Sequence, residues 1–139
     1  SRYQLAICSL GRTNERQSEK QVSSGLWVST AAGSTAAISS YGFEKSDMNS
    51  PNIHVVVREP YTPRNESLNL QKFNIDGDEK SLLFFSRMRQ GLVCVDGPDS
   101  CAHLGFGDTV HISLPKECSI KLILDFFGKV PTFPFDKPE

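Results

Sequence analysis

Apolar residues in this chain come in short runs, each closed by glycine, proline, asparagine or aspartate, and that punctuation limits the fold to short strands joined by turns. Residues 3–10 form the first such run and Gly11 ends it. Further strands are expected over residues 25–30, 53–58, 81–86, 91–95, 109–114 and 119–127, with 81–86 and 91–95 joined across Arg87 to Gln90. Within 53–58 alternation sends Ile53, Val55 and Val57 one way and His54, Val56 and Arg58 the other. In 109–114, Val110, Ile112 and Leu114 share a face, and in 119–127 Ile120, Leu122, Leu124 and Phe126 do so. Residues 11–24 and 61–80 read as loops, the second holding an Asp76-Gly77 turn; Asp96-Gly97-Pro98 marks another turn.

One short helix is expected over Ala37 to Tyr41, with Thr30 or Ser34 as N-cap and Gly42 as its stop. Helices therefore do not alternate with strands, which excludes a doubly wound parallel sheet. The expected class is mainly β, a β-sandwich-like complex β domain with one short helix. Residues 1–127 are read as a single domain and 128–139, with three prolines, as an extended tail. A chain of 139 residues buries roughly two thirds of its unfolded surface. Nine phenylalanines help to fill a core in a chain whose hydrophobic fraction is only 38%.

The net charge is -1, from 15 basic and 16 acidic residues, so nothing draws the chain to nucleic acid. No apolar run approaches membrane-spanning length, so no membrane partner is expected, and the first residues do not read as a signal peptide. Cys8, Cys94, Cys101 and Cys118 form no Cys-x-x-Cys pair, and His54, His103 and His111 are scattered, which argues against zinc. Cys8 and Cys94 sit in apolar runs and read as buried thiols, and all four cysteines are expected reduced in an intracellular protein.

The stretch from Ser29 to Ala36 carries the most functional information, because its side chains are small and it follows a strand. Gly33 and its alanine neighbours let a ligand approach the backbone, amides at a helix start suit a phosphate, and Ser34 and Thr35 add hydroxyls suited to ribose or phosphate oxygens. A small-residue helix packed tightly on a sheet explains the same pattern. No lysine follows the glycine, so this is not a Walker loop, and it is not the dinucleotide-binding glycine fingerprint.

The run Gly25-Leu26-Trp27-Val28-Ser29-Thr30-Ala31-Ala32-Gly33-Ser34-Thr35-Ala36-Ala37 closely resembles the glycine–serine–threonine–alanine segment of NAD kinases. Ser23-Ser24-Gly25-Leu26 and Val57-Arg58-Glu59-Pro60 look like the plant and mitochondrial branch. Val95-Asp96-Gly97 resembles the family's Asp-Gly turn, and Gly107-Asp108-Thr109-Val110-His111-Ile112 its Gly-Asp strand start. Order and spacing agree across residues 22 to 125.

This resemblance implies the C-terminal β-rich domain of an enzyme that moves a phosphoryl group from ATP, with Mg, to the adenosine 2'-hydroxyl of NAD or NADH. It implies a dinucleotide pocket touched by Gly33, Ser34, Thr35, Ala36 and Ser40, an N-terminal α/β domain as partner, homo-oligomers that complete the site, and a cytoplasmic or mitochondrial location. The family's Gly-Gly-Asp-Gly motif, source of the expected base, does not occur in this sequence, so no catalytic residue is assigned here. Ala37 and Ser24 stand where many members have Tyr and Asp. A phosphoryl transfer that lacks its base loses about two to four powers of ten in rate. The chain alone is thus expected to hold an acceptor and not to react. The alternatives are a non-catalytic nucleotide-binding or dimerisation module and, behind it, a lipid-kinase-like domain, which would need an apolar cleft.

Elsewhere the bland readings prevail. Asp96 and Asp108 are expected to accept amides in their turns, and Arg58 to pair with Glu59 at the surface. Trp27 reads as a core anchor and the three histidines as ordinary residues. Phe126, Phe127, Phe133 and Phe135 are expected to form an apolar surface that another domain or a second copy covers.

Overall fold

The structure, a computed structural model of the chain, describes residues 1–9, 16–64 and 67–114. The expected strand at 119–127, the phenylalanine surface and the 128–139 tail lie outside these residues.

The described residues form nine strands and two short 3-10 helices: β1 (Arg2–Ser9), β2 (Arg16–Val22), β3 (Gly25–Thr30), the helices Ala31–Thr35 and Ala37–Tyr41, then β4 (Asn52–Arg58), β5 (Lys72–Asp76), β6 (Lys80–Ser86), β7 (Gly91–Cys94), β8 (Cys101–Leu104) and β9 (Thr109–Ile112). All pairings are antiparallel. One sheet runs β2-β1-β6-β9, a second β3-β4-β5, and β7 pairs with β8 as a hairpin. The chain is therefore mainly β, as its punctuated apolar runs require. Among the described residues no helix is long and apolar enough to cross a membrane.

The two larger sheets share one apolar core. Tyr3 and Leu5 of β1 and Leu82 and Phe84 of β6 meet Ile53, Val55 and Val57 of β4 and Ile75 of β5, and Leu70 and Leu104 close the cluster. Burying such side chains is worth about 1.5–3 kcal/mol each. Val110, Ile112 and Leu114 pack against this core from one face, as their spacing predicts.

Several elements differ from the sequence reading. β2 lies in a stretch read as loop, because it is a polar edge strand paired only with β1. Its inward residues are held by polar contacts: the Gln21 amide donates to the Leu70 carbonyl at 3.1 Å, and the Glu19 carboxylate accepts the amides of Asn69 and Leu70 at 2.8 and 2.7 Å. β5 was likewise hidden by its polar outward residues Lys72, Asn74 and Asp76, while Ile75 is buried and Phe73 packs on the core. β6 and β7 are not partners; β6 pairs with β1 and β9, and β7 with β8.

Cys94 is not a buried reduced thiol. It is exposed and joined by a disulfide to Cys101, its register partner across the β7–β8 hairpin. Directly opposed residues of an antiparallel pair bring their side chains together at a spacing a disulfide can span, and a search for Cys-x-x-Cys spacing cannot see that. Cys8 is free and partly buried.

Tyr3 ties the sheets to their connection. Its ring stacks on Phe84 with centroids 4.8 Å apart, and its hydroxyl meets Ser23 Oγ and donates to the Gly25 carbonyl at 3.2 Å. Burial raises its pKa above the ordinary 10.0, and the Ser23 hydrogen bond offsets part of that rise. The unfolded chain thus loses this proton first, so the stability Tyr3 contributes is complete below about pH 10 and is lost as pH rises toward the folded value. Urea titrations between neutral and strongly alkaline pH should show a fall in unfolding free energy past the ordinary tyrosine range that is shallower in Tyr3→Phe; equal slopes in both proteins would refute the assignment.

Candidate functional site on the outer face of the three-stranded sheet

The β3-β4-β5 sheet has two covered faces. Leu26, Val28, Ile53, Val55, Val57, Phe73 and Ile75 look into the core. The opposite face carries Trp27 and Ser29 from β3, His54 and Val56 from β4, and Lys72 and Asn74 from β5. Register aligns Ser29, His54 and Asn74 in one cross-strand row, and Trp27, Val56 and Lys72 in the next. This outer face is not open. The 3-10 helices and the segment after them lie over β3 and β4, so His54 and Val56 are as buried as their core-facing neighbours. Alternation alone predicted a half-buried strand; the near-continuous apolar run of β4 fits a strand covered on both sides.

Close approach explains the small residues that face inward. A Cβ on Gly33 would sit 2.9 Å from Ser29 Cβ on the strand beneath. Ala31, Ser34 and Ile38 are buried against the sheet. Ser34 Oγ accepts the Ser46 amide at 3.2 Å and so anchors the segment after the helices. Gly42 follows the second helix with φ 76, the left-handed conformation expected of a helix stop. Thr30 is the cap residue of the first helix, but its side chain makes no capping bond.

The residues expected to touch a dinucleotide divide into two sets. Thr35, Ala36 and Ser40 are exposed and Gly33 is half-buried. Ser34 is 1% exposed and its oxygen is committed to Ser46, so it presents no surface to a ligand. The Ala36 amide is committed to the Gly33 carbonyl, and the Ser40 hydroxyl to the Ala37 carbonyl at 2.7 Å. The short helix expected over Ala37 to Tyr41 is present as a 3-10 helix, and a second 3-10 helix, Ala31–Thr35, precedes it. Outward, Ala32, Thr35, Ala36 and Ala37 make a strip with no bulky side chain.

Beside this strip a cavity of about 490 Å³ opens on the segment after Gly42, lined by Phe43, Glu44, Lys45, Ser46, His54, Lys72 and Asn74 among others. His54 is its fixed point. Its Nε2 lies 2.9 Å from Ser46 Oγ and its Nδ1 2.7 Å from Asn74 Oδ1, while the Phe43 ring meets it edge-on at 5.0 Å. Because the Asn74 oxygen can only accept, Nδ1 carries a proton. Lys72 Nζ donates to the Gly42 carbonyl at 2.8 Å and lies 4.9 Å over the Phe43 ring. Sequence reasoning passed over Ser46, Lys72 and Asn74 and treated His54 as an ordinary residue. The β4–β5 register sets Asn74 beside His54, and Ser46 reaches it from the segment that covers the sheet.

Other residues have structural roles. Asp108 Oδ2 accepts the Gly105 amide at 2.6 Å in the turn before β9, as expected. Asp96 and Gly97 adopt left-handed conformations, with φ 53 and 125, in the β7–β8 turn. Arg58 pairs with Glu59 at 3.9 Å and lies over Trp27. Trp27 is not a core anchor: it is half-buried on the outer face, edge-on to Tyr41 of the second helix at 5.5 Å. Ser29 Oγ is buried with no hydrogen-bond partner among the described residues. Among those residues no group of three or more His, Cys, Asp or Glu is placed to hold a metal ion. The sequence matches no family model and no curated protein.

Gly33→Ala should destabilise the fold by about 1–3 kcal/mol, since Ser29 Cβ is fixed to a strand and cannot retreat. An unchanged urea midpoint would show that the helix does not rest on β3 this closely.

Proposed function

We propose that this chain is the acceptor-holding β domain of an NAD(H) kinase, the part that seats the dinucleotide whose adenosine 2'-hydroxyl is phosphorylated. The observation that carries the reading is the exposed strip Ala32, Thr35, Ala36 and Ala37, which follows β3 and leads into the exposed Ser40. A dinucleotide laid there meets backbone, a threonine hydroxyl and methyl groups, with nothing large in its way. The ordered resemblance from Ser23 to Ile112 supports the same reading.

Phosphoryl transfer depends on positioning, charge neutralisation and a base aimed at the attacking oxygen. In this reading the chain supplies positioning through Thr35, Ala36 and Ser40. The base, the ATP site and its Mg belong to an N-terminal α/β domain, and a second copy completes the pocket. NAD or NADH is the acceptor. The lack of a Gly-Gly-Asp-Gly motif in these residues favours one second reading, a nucleotide-binding or dimerisation module without catalysis.

Titration calorimetry of the 139-residue chain with NAD and NADH tests this reading. Saturable heat is expected below millimolar ligand for at least one redox form. Ala36→Trp fills the strip without touching the core, so it should weaken binding by at least about tenfold, or 1.4 kcal/mol, with the melting midpoint unchanged. Flat heat to millimolar ligand, or equal affinity in the variant, would remove the proposal.

A further inference from the structure

The β7–β8 hairpin stands apart from both larger sheets. Among the described residues each of its strands pairs only with the other, over four residues. Few side chains fasten it to the body: Val93 packs on the core, Leu104 is buried in it, and Gly91 lies so close to Met88 that a side chain there would collide. Cys101, Ala102 and His103 are all exposed, so Leu104 is the buried anchor of β8. A two-stranded hairpin of this size is marginal in water. Its remaining tie is the disulfide between Cys94 and Cys101, opposed residues beside the turn and both exposed. Exposed disulfides are the labile, regulatory kind, whereas structural ones resist reduction. We propose that Cys94–Cys101 is a thiol–disulfide exchange site for a dithiol reductant, and that its redox state decides whether the hairpin stays closed on the core.

The exchange balances between the two reactants. A thiolate of the reductant attacks one exposed sulfur, the S–S bond breaks, a mixed disulfide forms and the other cysteine leaves as a thiolate. The reductant's second thiolate attacks the mixed disulfide, closes the reductant's own disulfide and frees the first cysteine. Two electrons pass to the chain, and its two new thiolates take up the two protons that the reductant's thiols gave up. Leu92, Cys94, Cys101 and His103 share the exposed side of the hairpin, so attack needs no opening of the core. Breaking the link releases the turn at residues 95–100, which holds Asp96 and Gly97 at positive φ. A cross-link over so short a loop favours the closed hairpin by roughly tenfold to a hundredfold. Without it, the bond from the Val95 amide to the Ser100 carbonyl and the inward contacts of Val93 and Leu104 must hold the pairing. The loosening stays local, because β6 keeps its own register with β9, and Ser86 bonds Gly107 and Asp108 beyond the hairpin. None of this depends on the dinucleotide reading.

The test holds the 139-residue chain in buffers of reduced and oxidised dithiothreitol without denaturant and follows it by differential alkylation with peptide mapping. Cys94 and Cys101 should pass together from disulfide to two thiols in one two-electron transition. Hydrogen exchange on the same samples should show the Val95 amide, bonded to the Ser100 carbonyl at 2.9 Å, losing protection by at least about tenfold on reduction, while amides of β1 and β4 keep theirs. A double variant, Cys94→Ser with Cys101→Ser, should exchange as the reduced chain does and ignore the reductant. If that variant fails to fold, the two redox forms of the unaltered chain carry the comparison by themselves. Cysteines never found joined, or a disulfide that yields only in denaturant, overturns the exchange site. Equal protection of Val95 in the two forms overturns its hold on the hairpin.

Discussion

The outer face of β4 can be buried only because His54 finds partners there. An imidazole taken out of water without hydrogen bonds costs several kcal/mol, enough to expel the segment that covers it. Ser46 and Asn74 satisfy its two nitrogens from opposite sides, one from the covering segment and one from the next strand. The same two bonds fasten the layer over residues 31–46 to the sheet, and Ser34 with Ser46 and Lys72 with Gly42 extend the fastening along it. With that layer in place, β4 runs buried from Ile53 to Val57 and serves as the central strand of its sheet.

The small-residue strip and the cavity both follow from this cover. The 3-10 helices lie on β3 and β4 and turn their outward residues to solvent, which makes the small-residue strip. Past Gly42 the chain bends, and the gap between it and the β4–β5 edge becomes the cavity. The strip is formed by what is missing from side chains, the cavity by what side chains supply.

Much of the fold was legible because apolar β strands bounded by turns announce themselves: 25–30, 53–58, 81–86 and 109–112 are apolar runs that end in turns. β2 and β5 were not, since Lys20, Gln21, Lys72 and Asn74 look like loop residues until pairing is known. The helix stop at Gly42 was readable because left-handed backbone selects glycine. The small-residue strip was readable for a similar reason. The Ser46–His54–Asn74 cluster was not, because it spans 28 residues of sequence and exists only through the β4–β5 register and the fold-back of the segment that carries Ser46, which single-sequence patterns do not encode. The disulfide escaped for the same reason: Cys94 and Cys101 meet as partners in a hairpin whose second strand, β8, was unseen.

Smallness has two causes in the 31–37 segment, and the structure separates them. Ala31, Gly33 and Ser34 are small because the sheet is close: a side chain added at Gly33 collides with Ser29, and Ser34 is sealed beneath the loop it anchors. Packing accounts for these fully, so they say nothing about a ligand. Ala32, Thr35, Ala36 and Ala37 face outward, where no neighbour limits their size. Exposed positions in short helices usually carry long polar side chains, which favour solvation at little steric cost. Four outward positions without one, three of them consecutive, are not demanded by the fold. A bound molecule pressed against the backbone would demand them, and it is on these four residues, not on the glycine, that the dinucleotide reading rests.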